Sequence, residues 1–152
     1  MISIVIPARN EKENLKDLLE SIDQTTYDDY EVIVVDGGST DGTKHVADKY
    51  DARVIGGPQE GPAVARNVGW ENARGEFVYF LDADRLIGPK TLNNVAEAFE
   101  ENSEVDVFHV ETVDKFVTDN WVSKAIAAEN GALTGKQHRA EIFRKLKEVI
   151  GL

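Results

Sequence analysis

Apolar positions along the chain follow two rhythms in turn. Ile2 to Ile6 is a short β-rich run, expected to stop at Pro7. Leu15, Leu18, Leu19 and Ile22 then fall at i, i+3, i+4 and i+7, which marks one face of a helix. Asn10 and Glu13 have the spacing of an N-cap and its N3 acid, so the helix is predicted to start there. Val32 to Val35 reads as a second buried strand. Asp36-Gly37-Gly38-Ser39-Thr40-Asp41-Gly42 is its turn, and Thr43 to Tyr50 a short helix. Arg53 to Ile55 is a third strand, and Gly56-Gly57-Pro58 and Gly61-Pro62 bracket a loop. Ala63 to Ala73 is predicted helical, ended near Gly75, and Phe77 to Leu81 is the fourth strand.

This β-α-β-α-β-α-β order predicts an α/β fold, with a mostly parallel sheet and helices on both faces. Ligands of such folds bind outside the carboxyl ends of the strands. Three polar segments fall there: Pro7 to Glu11, Asp36 to Asp41, and Asp82 to Arg85. Further on, Leu92, Val95, Ala96 and Phe99 form another helix face, and Val105 to Val110 reads as a strand. Val113 to Asn130 reads as an amphipathic helix, serving core packing or lying over the site or against a partner. Ile142, Phe143, Leu146, Val149 and Ile150 form a last helix face. No repeat, low-complexity tract or linker interrupts the 152 residues, so a single domain is expected.

Composition narrows the class. A hydrophobic content of 41% and a charged content of 30% fit a soluble globular chain. No stretch approaches the roughly 18 apolar residues of a membrane span. The start, Met1 to Pro7, lacks a positive n-region and reads as a first strand rather than a signal peptide. Cysteine is absent, which excludes thiolate metal sites and is compatible with the reducing cytoplasm. The net charge of −11 argues against non-specific nucleic-acid binding and gives no support for adhesion to anionic lipid. A salt-loving or hot source would account for the acidity equally well.

Candidate chemistry centres on Asp82-Ala83-Asp84, directly after Phe77-Val78-Tyr79-Phe80-Leu81. If the strand ran on, alternation would point Asp82 and Asp84 the same way and Ala83 the other. Two convergent carboxylates suit Mg²⁺ or Mn²⁺ and, through the metal, phosphate. The bland alternative is a strand end carrying solvated acids. Upstream, Pro7-Ala8-Arg9-Asn10-Glu11 opens a helix, where free backbone N–H groups are expected to collect. An ordinary capped helix start is the competing reading. Asp36 ends a strand and is suited to accept hydrogen bonds from a base or ribose, or to cap a glycine-rich turn. Gly61 to Gly69 is a glycine loop feeding a helix from which Arg66 projects, toward a diphosphate or a nearby acid.

Taken in order, Pro-Ala-Arg-Asn-Glu, Val-Val-Asp-Gly-Gly-Ser-Thr-Asp-Gly-Thr, Ala-Arg-Asn-Val-Gly and Phe-Leu-Asp-Ala-Asp closely resemble the family 2 glycosyltransferases of GT-A fold. The resemblance covers residues 1 to about 90 strongly. It implies an inverting enzyme with a UDP- or GDP-linked sugar donor, Mn²⁺ or Mg²⁺, and an acceptor glycan, lipid or protein. It also implies residue roles. Pro7, Ala8, Arg9, Asn10 and Glu11 would line the nucleoside pocket, and Asp36, with Gly38 and Ser39 behind it, would contact the base. Gly61 and Arg66 would lie near the nucleotide. Asp82 would face the ribose or the metal's water shell, Ala83 would belong to the nucleotide-sugar site, and Asp84, with Asp82, would bind the metal. Residues 1–90 would then be the donor half and 91–152 a partial acceptor side. A cytoplasmic location, or one at the cytoplasmic membrane face, and a homodimer covering an exposed C-terminal edge are the accompanying expectations.

The chain departs from the family pattern in three places. Its second motif usually reads Asp-Asp-Gly-Ser, and position 37 here is Gly. Arg85 follows the acid pair where a small or acidic residue is common. Leu133 to Phe143 resembles the segment entering the acceptor region, yet the sequence stops at Gly151-Leu152, before the stretch that carries the catalytic base. Glu111, Asp114 and His138 are conceivable substitutes for that base. The missing base favours a second reading, a non-catalytic nucleotide-sugar module completed by a partner chain. A phosphohydrolase with Asp82 as nucleophile is a third, disfavoured because Arg85-Leu86-Ile87 lacks a hydroxyl. A redox dinucleotide fold lacks its glycine turn after strand one, and a triad hydrolase lacks its nucleophile elbow.

Overall fold

The computed structural model describes residues 1–57, 59–102 and 106, and the backbone of residues 113–114. Four parallel strands form its main sheet: β1 (Ile2–Ala8), β2 (Tyr30–Asp36), β3 (Arg53–Gly56) and β4 (Phe77–Phe80). Their spatial order is β3-β2-β1-β4. Four helices cover it: α1 (Lys12–Asp23), α2 (Thr43–Lys49), α3 (Pro62–Glu71) and α4 (Thr91–Glu101). Apart from the buried Ser3, β1 is apolar on both faces, as suits a central parallel strand with helices on both sides.

The crossover rule sorts the helices. The chain builds β1, β2 and β3 outward in one direction, so α1 and α2 lie on one face. Leu15, Leu18, Leu19 and Ile22 of α1, with Val46 and Ala47 of α2, pack there with Ile2, Ile4 and Ile6. Leu92 and Val95 of α4 join the same core. The connection from β3 back past β2 and β1 to β4 runs the other way, so a right-handed crossover places α3 on the opposite face. There Ala65 and Val68 of α3 pack with Val5, Ile33 and Val35. Gly69 lets α3 sit this close: a Cβ on it would overlap Val5 Cγ1 and stand 3.2 Å from Val35 Cγ2. The switch in direction falls between β1 and β4, and a crevice at the carboxyl ends is expected there.

At the opposite, amino end of the sheet, Ser3 anchors the α3–β4 connection. Its hydroxyl donates to Glu31 Oε1 at 2.7 Å and accepts the N–H of Gly75 at 2.8 Å and of Arg74 at 3.2 Å. Burial pushes the Glu31 carboxyl up. The Ser3 hydroxyl, the Arg74 N–H and the charges of Arg53 and Arg74 outweigh this and hold it below its ordinary value.

Several boundaries differ from the sequence expectation. Pro7 does not stop β1, which runs on to Ala8. The backbone groups of Val5 face β4, whose last bond is the Leu81 N–H to the Val5 carbonyl at 3.0 Å. Pro7 faces the same way two residues later, beyond the end of that ladder, so its missing N–H leaves no bond unmade. Asn10 is not the N-cap of α1. It sits at φ +57, Glu11 takes the cap position, and no side chain of the helix's own caps it. β4 ends at Phe80, so Asp82 to Asp84 lie in a turn and the strand alternation expected of them does not apply. The helix expected from Val113 is overturned at its start: Val113–Asp114 is a strand, β6, antiparallel to β5 (Arg85–Leu86). The expected strand at 105–110 (apart from the single residue 106), the rest of the 113–130 helix and the last helix face lie outside the described residues, as do Glu111, His138 and the Asp114 side chain.

Candidate functional site

A cleft of about 450 Å³ opens at the carboxyl ends of β1, β2 and β4. Of the residues singled out from the sequence, Pro7, Ala8, Arg9, Glu11, Gly61, Asp82, Ala83 and Asp84 line it. Val35, Gly37, Gln59, Pro62 and Ala65 also line it and were not named as site residues, Gly37 having been noted only as a departure from the family pattern. Ala65 had a signal, since it stands one turn before Gly69 on the face that seats α3. Gly37 lay inside a quoted motif. Gln59, in a loop between glycines, had none.

Asn10, Asp36, Gly38, Ser39 and Arg66 do not line the cleft. Four of the five have a common reason: the turn after β2 clamps the start of α1. The N–H of Asn10 donates to Ser39 Oγ at 2.9 Å, that of Glu11 to Thr43 Oγ1 at 3.0 Å, and that of Lys12 to Asp41 Oδ2 at 3.0 Å. Asn10 Oδ1 accepts the Thr40 N–H at 2.9 Å in return. The N–H groups of Asn10, Glu11 and Lys12 are thus satisfied from another loop, so the expectation of free N–H groups does not hold at these three residues. Asp36 is buried at 1% exposure and holds this turn together. It accepts the N–H of Gly38 at 3.0 Å and of Ser39 at 3.1 Å, with Lys44 Nζ at 3.3 Å. Burial raises the Asp36 carboxyl, but the Ser39 hydroxyl, the Ser39 and Gly38 N–H groups and Lys44 together hold it below its ordinary value.

The cleft is acidic, with Glu11, Asp82 and Asp84 facing one guanidinium, Arg9. Asn14 Nδ2 donates to Glu11 Oε2 at 2.6 Å. Arg66 of α3 is ion-paired with Asp82 Oδ1 and so steadies that carboxylate from outside the cleft. Arg85 Nε stands 3.7 Å from Asp84 Oδ1. Both acids keep a second carboxylate oxygen outside these pairs. Among the described residues no group of three or more His, Cys, Asp or Glu is placed to hold a metal. A hard cation held here would take one or two carboxylate oxygens and complete its shell with water and ligand oxygens, a donor set that suits Mg²⁺ or Mn²⁺ and not Zn²⁺.

A profile of the family described as "Glycosyl transferase family 2" matches residues 3–151. The chain is 40% identical over 91 residues to glycosyltransferase AglE of Haloferax volcanii, covering 55% of this chain and 30% of that protein. Among solved structures it is similar to Staphylococcus aureus TarS 1-349 in complex with UDP-GlcNAc, with 33% identity and a TM-score of 0.61. That match covers 67% of this chain and 32% of TarS 1-349. It is also similar to the mannosyltransferase PcManGT of Pyrobaculum calidifontis in complex with GDP-Man and Mn²⁺. There the identity is 31% and the TM-score 0.56, over 62% of this chain and 31% of that one. The chain spans less than a third of the length of these relatives.

Proposed function

The chain belongs to glycosyl transferase family 2 and has the GT-A fold, and on that premise we propose that its cleft is the donor site for a UDP- or GDP-linked sugar. One observation carries the reading: Arg9, Gly37, Gly61 and the Asp82–Asp84 turn, far apart in sequence, converge on one cleft at the switch point of the sheet. The activity proposed is transfer of the sugar to an acceptor hydroxyl with inversion. The acceptor is a glycan, lipid or protein, and the catalytic base lies outside the residues assigned here.

Asp84, with Asp82 beside it, would hold a divalent cation, Mn²⁺ or Mg²⁺, supplying electrostatic stabilisation of the charge that grows on the leaving diphosphate. Asp82, kept in place by Arg66, would orient the ribose or the cation's water shell. With so few protein oxygens, the cation binds weakly alone and firmly only with the nucleotide. No described helix is long and apolar enough to cross a membrane. A cytoplasmic place, or one at the cytoplasmic membrane face, accords with the lack of cysteine. Residues 1–90 form the donor half in this reading.

Calorimetric titration of UDP and GDP, with and without Mn²⁺, tests the donor site. Metal-dependent binding of either supports it, and binding of neither overturns it.

A further inference from the structure

The acid pair of the cleft carries its own counter-charges. Arg66 of α3 is ion-paired with Asp82 Oδ1, and Arg85 Nε stands 3.7 Å from Asp84 Oδ1. Two carboxylates and two guanidiniums sum to no net charge, so a cation approaching Asp84 meets far less attraction than bare acids would offer. The two arginines are held differently. Arg66 reaches Asp82 from a helix, whereas Arg85 directly follows Asp84 and is fixed by its own backbone. Its N–H donates to the Asp82 carbonyl at 3.1 Å, and Arg85–Leu86 is paired as β5 with Val113–Asp114. Two residues on, Ile87 is buried in the core, and its N–H donates to Ser21 Oγ at 3.2 Å. The Arg85 side chain is still 32% exposed, beside a carboxylate that is 44% exposed and lines the cleft. A position where the family pattern favours a small or acidic residue thus holds a permanent positive charge.

We infer that Arg85 assumes part of the cation's role at this cleft: it attracts the nucleotide's diphosphate by its charge, and it competes with the divalent cation for Asp84. The inference rests on the donor-site reading. A guanidinium keeps its proton in a protein, so this charge is always present. Arg85 repels a divalent cation across a single carboxylate. At such a separation, even with the dielectric constant of water, the repulsion is worth a factor of about five to ten in affinity. A diphosphate drawn to the Asp84 end of the cleft feels the same charge with the opposite sign. Screening removes that attraction only beyond about 8–10 Å at ordinary salt. Arg85 therefore has opposite effects on the two ligands. It weakens the cation alone, and it gives the site a share of nucleotide affinity that needs no metal.

The test titrates the two ligands apart, on the wild-type chain, Arg85→Gln and Arg85→Lys. Mn²⁺ is titrated without nucleotide and followed by electron paramagnetic resonance of the free ion, counting only the binding that Asp84→Ala loses. UDP or GDP, whichever the wild type binds in Mn²⁺, is titrated calorimetrically in EDTA. Arg85→Gln is expected to bind Mn²⁺ about fivefold more tightly and the nucleotide about fivefold more weakly. Arg85→Lys keeps the charge and is expected to follow the wild type in both. A packing role cannot produce opposite changes, since a loosened turn weakens both ligands. A fall in both affinities, or no change in either one, therefore overturns the inference, as does an Arg85→Lys chain that behaves like Arg85→Gln. A wild type that binds the nucleotide only with Mn²⁺ present overturns it as well, while leaving the donor-site reading in place. Binding of neither UDP nor GDP under any condition overturns the donor-site reading and this inference with it.

Discussion

Gly69→Ala sets two effects of opposite sign against each other. Within a helix, alanine is favoured over glycine by roughly 1 kcal/mol. The added methyl would overlap Val5 Cγ1 and stand 3.2 Å from both Val5 Cβ and Val35 Cγ2. Both valines are fully buried in the sheet, so neither can swing into solvent. Helix α3 must move outward instead. Overpacking of this kind costs about 1–3 kcal/mol, and overlap with a buried valine places it near the upper end. The net expectation is destabilisation by about 2 kcal/mol, or a melting temperature about 4–8 °C lower for a domain of this size. Urea unfolding should show a lower midpoint with an unchanged slope. Nucleotide affinity should fall as well, because α3 carries Pro62 and Ala65 on the cleft wall and Arg66 against Asp82. A variant as stable as the wild type, or more so, would refute the reasoning: helix propensity would then outweigh contact, and α3 would not be seated on β1 and β2 as described.

Three further outcomes are expected. Asp84→Ala should abolish the Mn²⁺-dependent gain in UDP or GDP affinity while leaving the far-UV spectrum and melting temperature in place, since Asp84 is 44% exposed; an unchanged affinity would sink the metal assignment. Ser3→Ala removes the acceptor that buried Ser3 offers the part-buried Gly75 N–H and one donor to Glu31, and should cost about 1–2 kcal/mol in urea titrations without altering nucleotide affinity, because it acts at the far end of the sheet. Glu31, Asp36 and Asp41 all lie below their ordinary values when folded, Asp41 chiefly through the Thr43 hydroxyl. Their stabilisation is therefore complete above the unfolded carboxylate range, about pH 4, and is lost as pH falls from there through the folded values. Asp36→Asn should lower stability at pH 7 and flatten its fall below about pH 4 in urea midpoints measured against pH; an unaltered slope would contradict this.

Much of the fold could be read from local pattern. The four strands of the main sheet and the four helices stand in the order that the apolar rhythm predicts, because periodicity reports which face of each element is buried. The face Leu15, Leu18, Leu19 and Ile22 is buried as expected, and so are Leu92 and Val95. The carboxyl-end rule also pointed to an edge of the sheet where Arg9, Gly61, Asp82 and Asp84 do share one cleft. The errors came where a residue's role depends on a neighbour distant in sequence. Asn10 looked like a local cap, yet the N–H groups of Asn10, Glu11 and Lys12 are taken by Ser39, Thr43 and Asp41, about thirty positions away. Pro7 looked like a strand end, but strand β4 is simply too short to miss its N–H.

What the sequence determined by itself is thus the succession of elements, the parallel sheet they build and the edge where the candidate residues gather, because each follows from spacing along the chain. The tertiary structure decided which residue of each motif meets the cleft. Asp36 and Gly37 are adjacent, and no periodicity separates them. Only the packing of the β2–α2 turn against α1 buries the carboxylate of the one and leaves the other as wall. Hydrogen bonds between loops far apart in sequence make that choice, and such bonds leave no pattern in the order of residues.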